Sequence, residues 1–375
     1  MLKRELVEID VKPGLMSDTQ SGITRLKPRI LGALVEPDLR GTRAAIVMHP
    51  TNSFLGHPLL ESLAERGVTM LGLNSRFMNN DSALIMERVI QDLGAGVTWL
   101  RKQGYGKVAL IGFSGGAAMS SFYQAEAEHP SVSETPAGDP VSFNPSEMIP
   151  ADGISLISAH LGRSRLLLDW IDPSVTDEGD AASCDASLDM YSADTPPPYS
   201  DEFLSRYRSA QVKRRDRIEA WVRSRLSAAR AQGNSDEAFV IHRTFADPRF
   251  MDLSIDANDR EPGGIWGNAR EVNYSANAIG RYTSLTAFMS QWSSASQADG
   301  PSNIAKTSVP VQYIELRGDS AAYPSTTRTW TEAISNRRSG GAADLRSISD
   351  ADHYLKKAGH LAEASDAIAA WMERL

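Results

Sequence analysis

The stretch that decides the fold of this chain is KVALIGFSGGAAMSS, residues 107–121. Its apolar run, residues 108–111, has the length of a strand that is buried on both faces. The run passes through GFSGG, residues 112–116, into small residues that can begin a helix. A serine in G-x-S-x-G between a strand and a helix is typical of a nucleophile elbow, where a strained turn makes the hydroxyl project from the sheet and the glycines let the two backbones pass closely. A Gly/Ser-rich phosphate-binding or structural turn is the alternative interpretation.

The composition limits the kinds of protein that this chain can be. A length of 375 residues suits one large domain with an insertion, or two domains. The net charge of −8, from 39 basic and 47 acidic residues, argues against a general binder of nucleic acid or anionic membranes. The single cysteine, Cys184, excludes an internal disulfide. The first 14 residues lack the apolar segment of a signal peptide, and no apolar run approaches 18 residues, so we expect a cytoplasmic protein.

Strand-like segments alternate with helical ones along the first 160 residues. Apolar runs predict strands at residues 5–11, 29–35, 44–48, 68–73 and 153–159. Helices are predicted at 58–66 and from about 81–82 onward, and the second carries an apolar face of Ile85, Val89, Leu93, Val97 and Leu100. Strands that alternate with helices through short loops indicate an α/β fold with a parallel sheet covered on both faces.

The alternation breaks near residue 161. Residues 172–201 are acidic and contain three consecutive prolines, which predicts a loop or a partial linker, and residues 201–231 form a charged helical segment. Its basic run at 213–215 is followed by Asp216 and Glu219, which favours a solvated helix face over a nucleic-acid site. Strand–helix order resumes at Val309. The sequence therefore predicts a core formed by residues 1–160 and 306–375 and a mainly helical cap at 161–305.

An elbow serine needs a base and an orienting acid, which follow it in the order acid, then histidine. Asp319 comes directly after a predicted strand at 309–316, and His353 stands between a short predicted strand and the last helix. We therefore expect Ser114 to attack, His353 to take its proton, and Asp319 to fix the histidine tautomer. Three other carboxylates near these positions remain as less favoured acids: Glu315, Asp350 and Asp352.

A developing oxyanion needs backbone N–H donors. One is expected from Gly115, which follows the nucleophile, and the other from the loop after the third strand. Pro50 in that loop has no N–H, so Thr51 is the first candidate and Asn52 the second. His49 in the same loop is interpreted as a buried structural histidine rather than as a base.

Several residues on the same edge of the sheet are candidates for contacts with a substrate. Arg76 could hold a carboxylate or pair with a nearby aspartate, and His160 could line the acyl pocket or cap its strand. Trp266 could contact an aromatic or alicyclic substrate, although packing inside the cap is the favoured alternative for it and for Trp170, Tyr274 and Trp292. The acidic residues between 177 and 185 lack the spacing of a calcium loop, so no metal is expected.

These residues together resemble the α/β-hydrolase superfamily. The resemblance rests on the elbow at 112–116, on His49-Pro50-Thr51 where many members have His-Gly-X, on VPVQYIELRGD ending in Asp319, and on DADHY around His353. It covers roughly residues 30–160 and 305–375. It implies a mostly parallel eight-stranded sheet, a cap inserted after the sixth strand, a Ser-His-Asp triad and no cofactor. Pro50 departs from the usual glycine, and the cap matches no motif.

The resemblance implies a serine hydrolase, and a carboxylic ester or lactone of a small molecule is the expected substrate. Hydrolysis of a carbon–carbon bond, acyl transfer on the same triad, and a non-catalytic binding protein of the same fold stay open as alternatives. Relatives that use an aspartate nucleophile, the dehalogenases and epoxide hydrolases, are disfavoured by Ser114. The expected partner is a small-molecule substrate, without nucleic acid or membrane, and a homodimer is left open.

Overall fold

An eight-stranded sheet forms the centre of the computed structural model, which describes residues 2–14, 27–337 and 343–375. The strands are β1 (Lys3–Asp10), β2 (Arg29–Glu36), β3 (Arg43–His49), β4 (Thr69–Asn74), β5 (Lys107–Phe113), β6 (Gly153–Ile157), β7 (Ala238–Val240), β8 (Tyr282–Ser284), β9 (Val311–Leu316) and β10 (Ala343–Ile348). The helices are α1 (Leu59–Ala64), α2 (Met86–Lys102), α3 (Gly115–Glu128), α4 (Arg163–Trp170), α5 (Asp201–Ala231), α6 (Ala269–Tyr274), α7 (Leu285–Gln291), α8 (Gly300–Ile304), α9 (Pro324–Ser335) and α10 (Ala358–Met372).

The strand order of the main sheet is β1-β2-β4-β3-β5-β6-β9-β10. The pairs β1–β2 and β2–β4 are antiparallel, and every other neighbouring pair is parallel. The carboxyl ends of β3, β5, β6, β9 and β10 therefore meet at one edge, where ligands bind in sheets of this kind. The predicted mostly parallel eight-stranded α/β sheet is confirmed.

Two apolar layers cover the sheet, one on each face. Val108 and Leu110 of β5 pack with helices α2, α3 and α9, whereas Ala109 and Ile111 pack with α1 and α10. Alternate residues of the strand thus enter opposite layers, and both need apolar side chains. This is why a central parallel strand has an uninterrupted apolar sequence.

The second helix starts later than the sequence predicts. Residues 81–82 were expected to begin it, but α2 begins at Met86. Asn80 explains the difference, because its side-chain oxygen accepts the N–H and the hydroxyl of Ser82. An Asn that bonds two residues ahead stabilises a turn in competition with a helix.

The insertion between β6 and β9 has apolar clusters of its own. One surrounds Phe288 and Trp292, and another contains Trp170 and Phe245. Helix α5 covers the segment predicted to be helical, and Ser200 caps it by accepting the Phe203 N–H. The two-stranded sheet of β7 and β8 was not predicted. Helix α8 falls inside the predicted cap, but its Ile304 packs with the main core.

Among the described residues, no helix has both the length and the apolar character that crossing a membrane requires.

Candidate active site

Ser114 occupies a strained turn between β5 and α3. Its φ of 54° and ψ of −122° lie in a region that residues with a side chain rarely adopt. A Cβ added at Gly112 would lie 2.7 Å from Ala117 Cα, and one added at Gly116 would lie 2.3 Å from the carbonyl oxygen of Met48. The elbow therefore needs glycine on both sides, for the close approach that the sequence suggested.

The structure brings Ser114, His353 and Asp319 together. The Nε2 atom of His353 lies 3.0 Å from Ser114 Oγ, and its Nδ1 lies 2.9 and 2.8 Å from the two carboxylate oxygens of Asp319. A carboxylate only accepts hydrogen bonds, so Nδ1 carries the proton and Nε2 is left to accept from the serine hydroxyl. Asp319 is fully buried, and its Oδ1 also accepts the N–H groups of Ala321 and Ala322 at 2.7 and 3.1 Å.

Neighbouring loops fix the position of the His353 ring. Ser158, just after β6, donates its hydroxyl to the carbonyl oxygen of His353 at 2.9 Å. The ring makes edge contacts with Phe113 and Tyr354, at 5.9 and 4.9 Å between centroids. The histidine is thus held from both its backbone and its ring.

The three alternative carboxylates bond elsewhere. Glu315 accepts from the Ser347 hydroxyl, Asp350 pairs with Lys357, and Asp352 accepts the backbone N–H of Lys356. Asp319 alone of the four candidates bonds to His353.

The loop after β3 differs from the sequence prediction. The N–H groups of Thr51 and Asn52 both donate to Nδ1 of His49, at 3.1 and 3.0 Å. The Ser75 hydroxyl donates to the Pro50 carbonyl at 2.5 Å and holds the loop further. Because His49 already uses both N–H groups, Thr51 and Asn52 are not the free oxyanion donors that we expected. The oxyanion role of Gly115 stays a prediction: Gly115 is the first residue of α3, and the N–H of a first helical residue has no acceptor one turn earlier.

Arg76 is committed to an ion pair within the core. Its guanidinium bonds both carboxylate oxygens of the fully buried Asp92, with a shortest distance of 2.6 Å. The structure thus supports the alternative reading of Arg76, in which it pairs with an aspartate, and not a contact with substrate.

Trp266 lies in an aromatic group at the mouth of the site. It stacks on Phe245 and makes an edge contact with Trp170, but 42% of it is exposed. A hydrogen bond joins Trp266 to Tyr354, which in turn contacts His353. Burial raises the pKa of Tyr354, although the hydrogen bond acts in the opposite direction. The other aromatic candidates pack within the insertion: Trp170, under Trp266, and Trp292 are buried, and Tyr274 lies against Arg243.

Four histidines lie around Ser114: His49, His57, His160 and His353. Only His353 was predicted to act in catalysis. Burial lowers the pKa of His160 to about 3 and that of His57 to about 4. Burial, assisted by Arg163, lowers the pKa of His49 well below its usual value. His49 ends β3 and His160 follows β6. Because parallel strands end at the same edge of the sheet, these positions in the sequence could have indicated that the two histidines lie close together.

A metal site is not evident in the part of the chain that the structure describes, since no three His, Cys, Asp or Glu side chains there are grouped to hold an ion.

Comparisons with solved structures agree with this topology. The chain is similar to DcsB, solved in complex with its substrate analogue, at a TM-score of 0.54 and 12% identity over 99% of both chains. It is also similar to the α/β-hydrolase GrgF from Penicillium sp. sh18, at a TM-score of 0.53 and 12% identity over 99% of this chain and 98% of that one. No family model matches the sequence, and no curated protein sequence does. The sheet topology and these likenesses show that the chain has the α/β-hydrolase fold.

Proposed function

We propose that this protein is a serine hydrolase that cleaves a carboxylic ester or lactone through an acyl-enzyme. The observation that carries the proposal is the continuous chain of hydrogen bonds from Ser114 through His353 to Asp319, which starts at a strained elbow. A serine hydroxyl is a weak nucleophile until a neighbouring base takes its proton, and this arrangement supplies that base.

The reaction follows from the positions of these atoms. Ser114 Oγ attacks the carbonyl carbon while its proton passes to His353 Nε2, and Asp319 stabilises the imidazolium. The tetrahedral oxyanion accepts the Gly115 N–H. His353 then returns the proton to the leaving alkoxide, which departs and leaves an acyl-serine. Water attacks that ester with His353 again as base, and the acid product leaves with Ser114 restored.

The surroundings of His353 support a substrate with an aromatic or alicyclic group. A cavity of about 350 Å³ opens beside His353, and its wall combines Ile265 and Tyr354 with charged side chains such as Asp259 and Lys357. Tyr354 in this wall is 39% exposed and Trp266 next to Tyr354 is 42% exposed, and half-exposed aromatic rings bind apolar ligand surface well. In a lactone the alkoxide stays tethered to the acyl group, so both parts of the substrate must fit this end of the site.

A fluorophosphonate probe tests the proposal, because it reacts with a serine that its base activates, whatever the natural substrate. We expect a mass adduct on Ser114 in the wild type and none in Ser114→Ala or His353→Ala. His129→Ala is the matched control, since His129 is exposed at the opposite end of α3 and its loss should leave labelling unchanged.

Three results would count against the proposal. An adduct on another serine would refute the assignment of the nucleophile, and equal labelling of the wild type and His353→Ala would refute the base. A folded wild type that reacts with neither a fluorophosphonate nor a smaller sulfonyl fluoride would point to a non-catalytic protein. With labelling established, a panel of esters, lactones and dicarbonyl compounds separates ester hydrolysis from cleavage of a carbon–carbon bond, and an added alcohol acceptor reveals acyl transfer.

A further inference from the structure

Two histidines beside the nucleophile present N–H groups for which the protein supplies no acceptor. His49 Nδ1 accepts two backbone N–H groups, and His160 Nδ1 accepts the Gly162 N–H at 3.2 Å. A ring nitrogen that accepts carries no proton, so the proton of each neutral ring is on Nε2. Neither Nε2 atom has a hydrogen-bond partner among residues 2–14, 27–337 and 343–375.

Both Nε2 atoms lie next to Gly115, the residue that supplies the first oxyanion donor. A Cβ added at Gly115 would lie 2.6 Å from His49 Nε2 and 3.2 Å from His160 Nε2. Glycine at this position therefore leaves the space into which both rings point. The rings are 7% and 6% exposed, so water competes little for these two donors.

The environment keeps both rings uncharged. Burial is the largest cause of the low pKa of each, and the positive charge of Arg163 adds to it. A neutral imidazole that is fixed through Nδ1 donates from Nε2 without any change of protonation during a reaction. Donors that are already oriented in a site of low dielectric stabilise developing negative charge most effectively.

We propose that His49 and His160 complete the oxyanion hole through their Nε2–H groups, in place of the second backbone N–H that the loop after β3 was expected to supply. This inference rests on the proposed serine hydrolase function. The oxyanion would accept the Gly115 N–H together with the two imidazole donors. The Thr51 and Asn52 N–H groups then have a chemical purpose. By donating to Nδ1 of His49, they fix the tautomer that carries its proton on Nε2 and can donate it to the oxyanion.

The same observations exclude two other roles for these rings. An Nε2 that carries a proton cannot take one from Ser114, so neither ring is a second general base. An Nε2–H also offers no lone pair to a metal ion, and a metal ligand would have to be this nitrogen because Nδ1 is occupied.

The test replaces each ring with a side chain of similar size that lacks the donor. His49→Phe and His160→Phe are expected to lower kcat for p-nitrophenyl acetate about 10²–10³-fold each, the loss typical of one oxyanion donor, with KM almost unchanged. His160→Gln restores an N–H and should recover at least about tenfold of the loss. A trifluoromethyl ketone forms a tetrahedral adduct with serine, so its affinity should fall across these variants in proportion to kcat/KM. If the histidines had only a structural role, inhibitor affinity and kcat/KM would not change in proportion.

His57→Phe is the matched control. His57 is another buried neutral histidine nearby, but its ring packs between Phe54 and Phe113, and we expect near-normal activity. Wild-type kcat in both His49→Phe and His160→Phe would overturn this inference while leaving the hydrolase proposal intact. A wild type that is inert to serine probes would overturn the hydrolase proposal itself. If thermal unfolding shows that His49→Phe does not fold, because two N–H groups lose their acceptor, His160→Phe decides the question.

Discussion

Replacement of Asp319 by asparagine should change the tautomer of His353, the proposed base, without changing its position. Oδ1 of Asp319 accepts two backbone N–H groups, from Ala321 and Ala322. An asparagine must place its carbonyl oxygen there, since its NH₂ group would face two donors. The NH₂ group then occupies the Oδ2 position, 2.8 Å from His353 Nδ1, while the amide oxygen, 2.9 Å from Nδ1, is already engaged by the two backbone N–H groups. Because Nδ1 then faces the NH₂ donor, the neutral ring adopts the other tautomer, in which Nδ1 accepts and Nε2 carries the proton.

The expected loss is large because a protonated Nε2 cannot accept from Ser114. Asp→Asn in a Ser-His-Asp triad lowers kcat by about 10⁴-fold, which corresponds to about 5 kcal/mol in activation free energy. We expect this loss in the hydrolysis of p-nitrophenyl acetate, together with an equally slow reaction with a fluorophosphonate. Thermal unfolding should show a folded variant, since the amide oxygen still accepts both backbone N–H groups.

Glu315→Gln is the control for this prediction. Glu315 lies in β9, just before Asp319, and bonds Ser347 rather than the histidine, so its loss should leave kcat near the wild-type value. Retention of more than about a tenth of the activity in Asp319→Asn would contradict the tautomer argument. A large loss in Glu315→Gln with little loss in Asp319→Asn would mean that the acid had been misassigned.

Three further substitutions test the packing and charge around the site. Gly116→Ala places a methyl group 2.3 Å from the Met48 carbonyl, so α3 must shift, and urea unfolding should show a loss of about 1–3 kcal/mol together with reduced kcat. Arg76→Ala leaves Asp92 as an unpaired buried charge and should lower the free energy of unfolding by about 3–5 kcal/mol. We expect KM of the folded enzyme to stay constant. A raised KM with normal stability would instead indicate that Arg76 contacts the substrate. Burial raises the pKa of Glu87 from 4.5 to about 7. Between these pH values the folded protein keeps a proton that the unfolded chain releases. The free energy of unfolding should therefore fall by about 3 kcal/mol as pH rises from 4.5 to 7. Glu87→Gln should remove that part of the pH dependence in urea unfolding at pH 5 and pH 7, and an unchanged slope would refute the assignment.

The sheet, and the grouping of Ser114, Asp319 and His353 at one edge of it, were predictable because their sequence signals are local. Strand β5 could be recognised from the apolar run at residues 108–111, since burial on both faces leaves no position there for a polar side chain. Asp319 and His353 each follow a strand, and parallel strands bring their carboxyl ends to one edge. Chain order then selects the pair without any knowledge of distances.

The orientation of the Thr51 and Asn52 N–H groups was not predictable, because it depends on where the His49 side chain turns in three dimensions. Residues 49–52 allow the Thr51 N–H to face either the site or the His49 ring. Contacts from distant residues, such as the bond from Ser75 to Pro50, help to fix this loop, and no sequence spacing encodes them. The short strands β7 and β8 escaped prediction for a similar reason, since three residues give too little periodicity to separate a strand from a loop.

The strain at Ser114 and the donors around it form one arrangement. A non-glycine residue with positive φ costs about 1–3 kcal/mol, and it persists only where the surrounding structure holds it. Here the Ser114 N–H donates to Ile157 of β6 at 3.1 Å, its carbonyl accepts the Ala117 N–H at 3.0 Å, and Gly116 lets α3 approach β3. These contacts also bring Gly115 next to the ends of β3 and β6, where His49 and His160 stand. Folding therefore holds the strained serine and orients the proposed oxyanion donors through the same strands, so little reorganisation would remain for the proposed reaction.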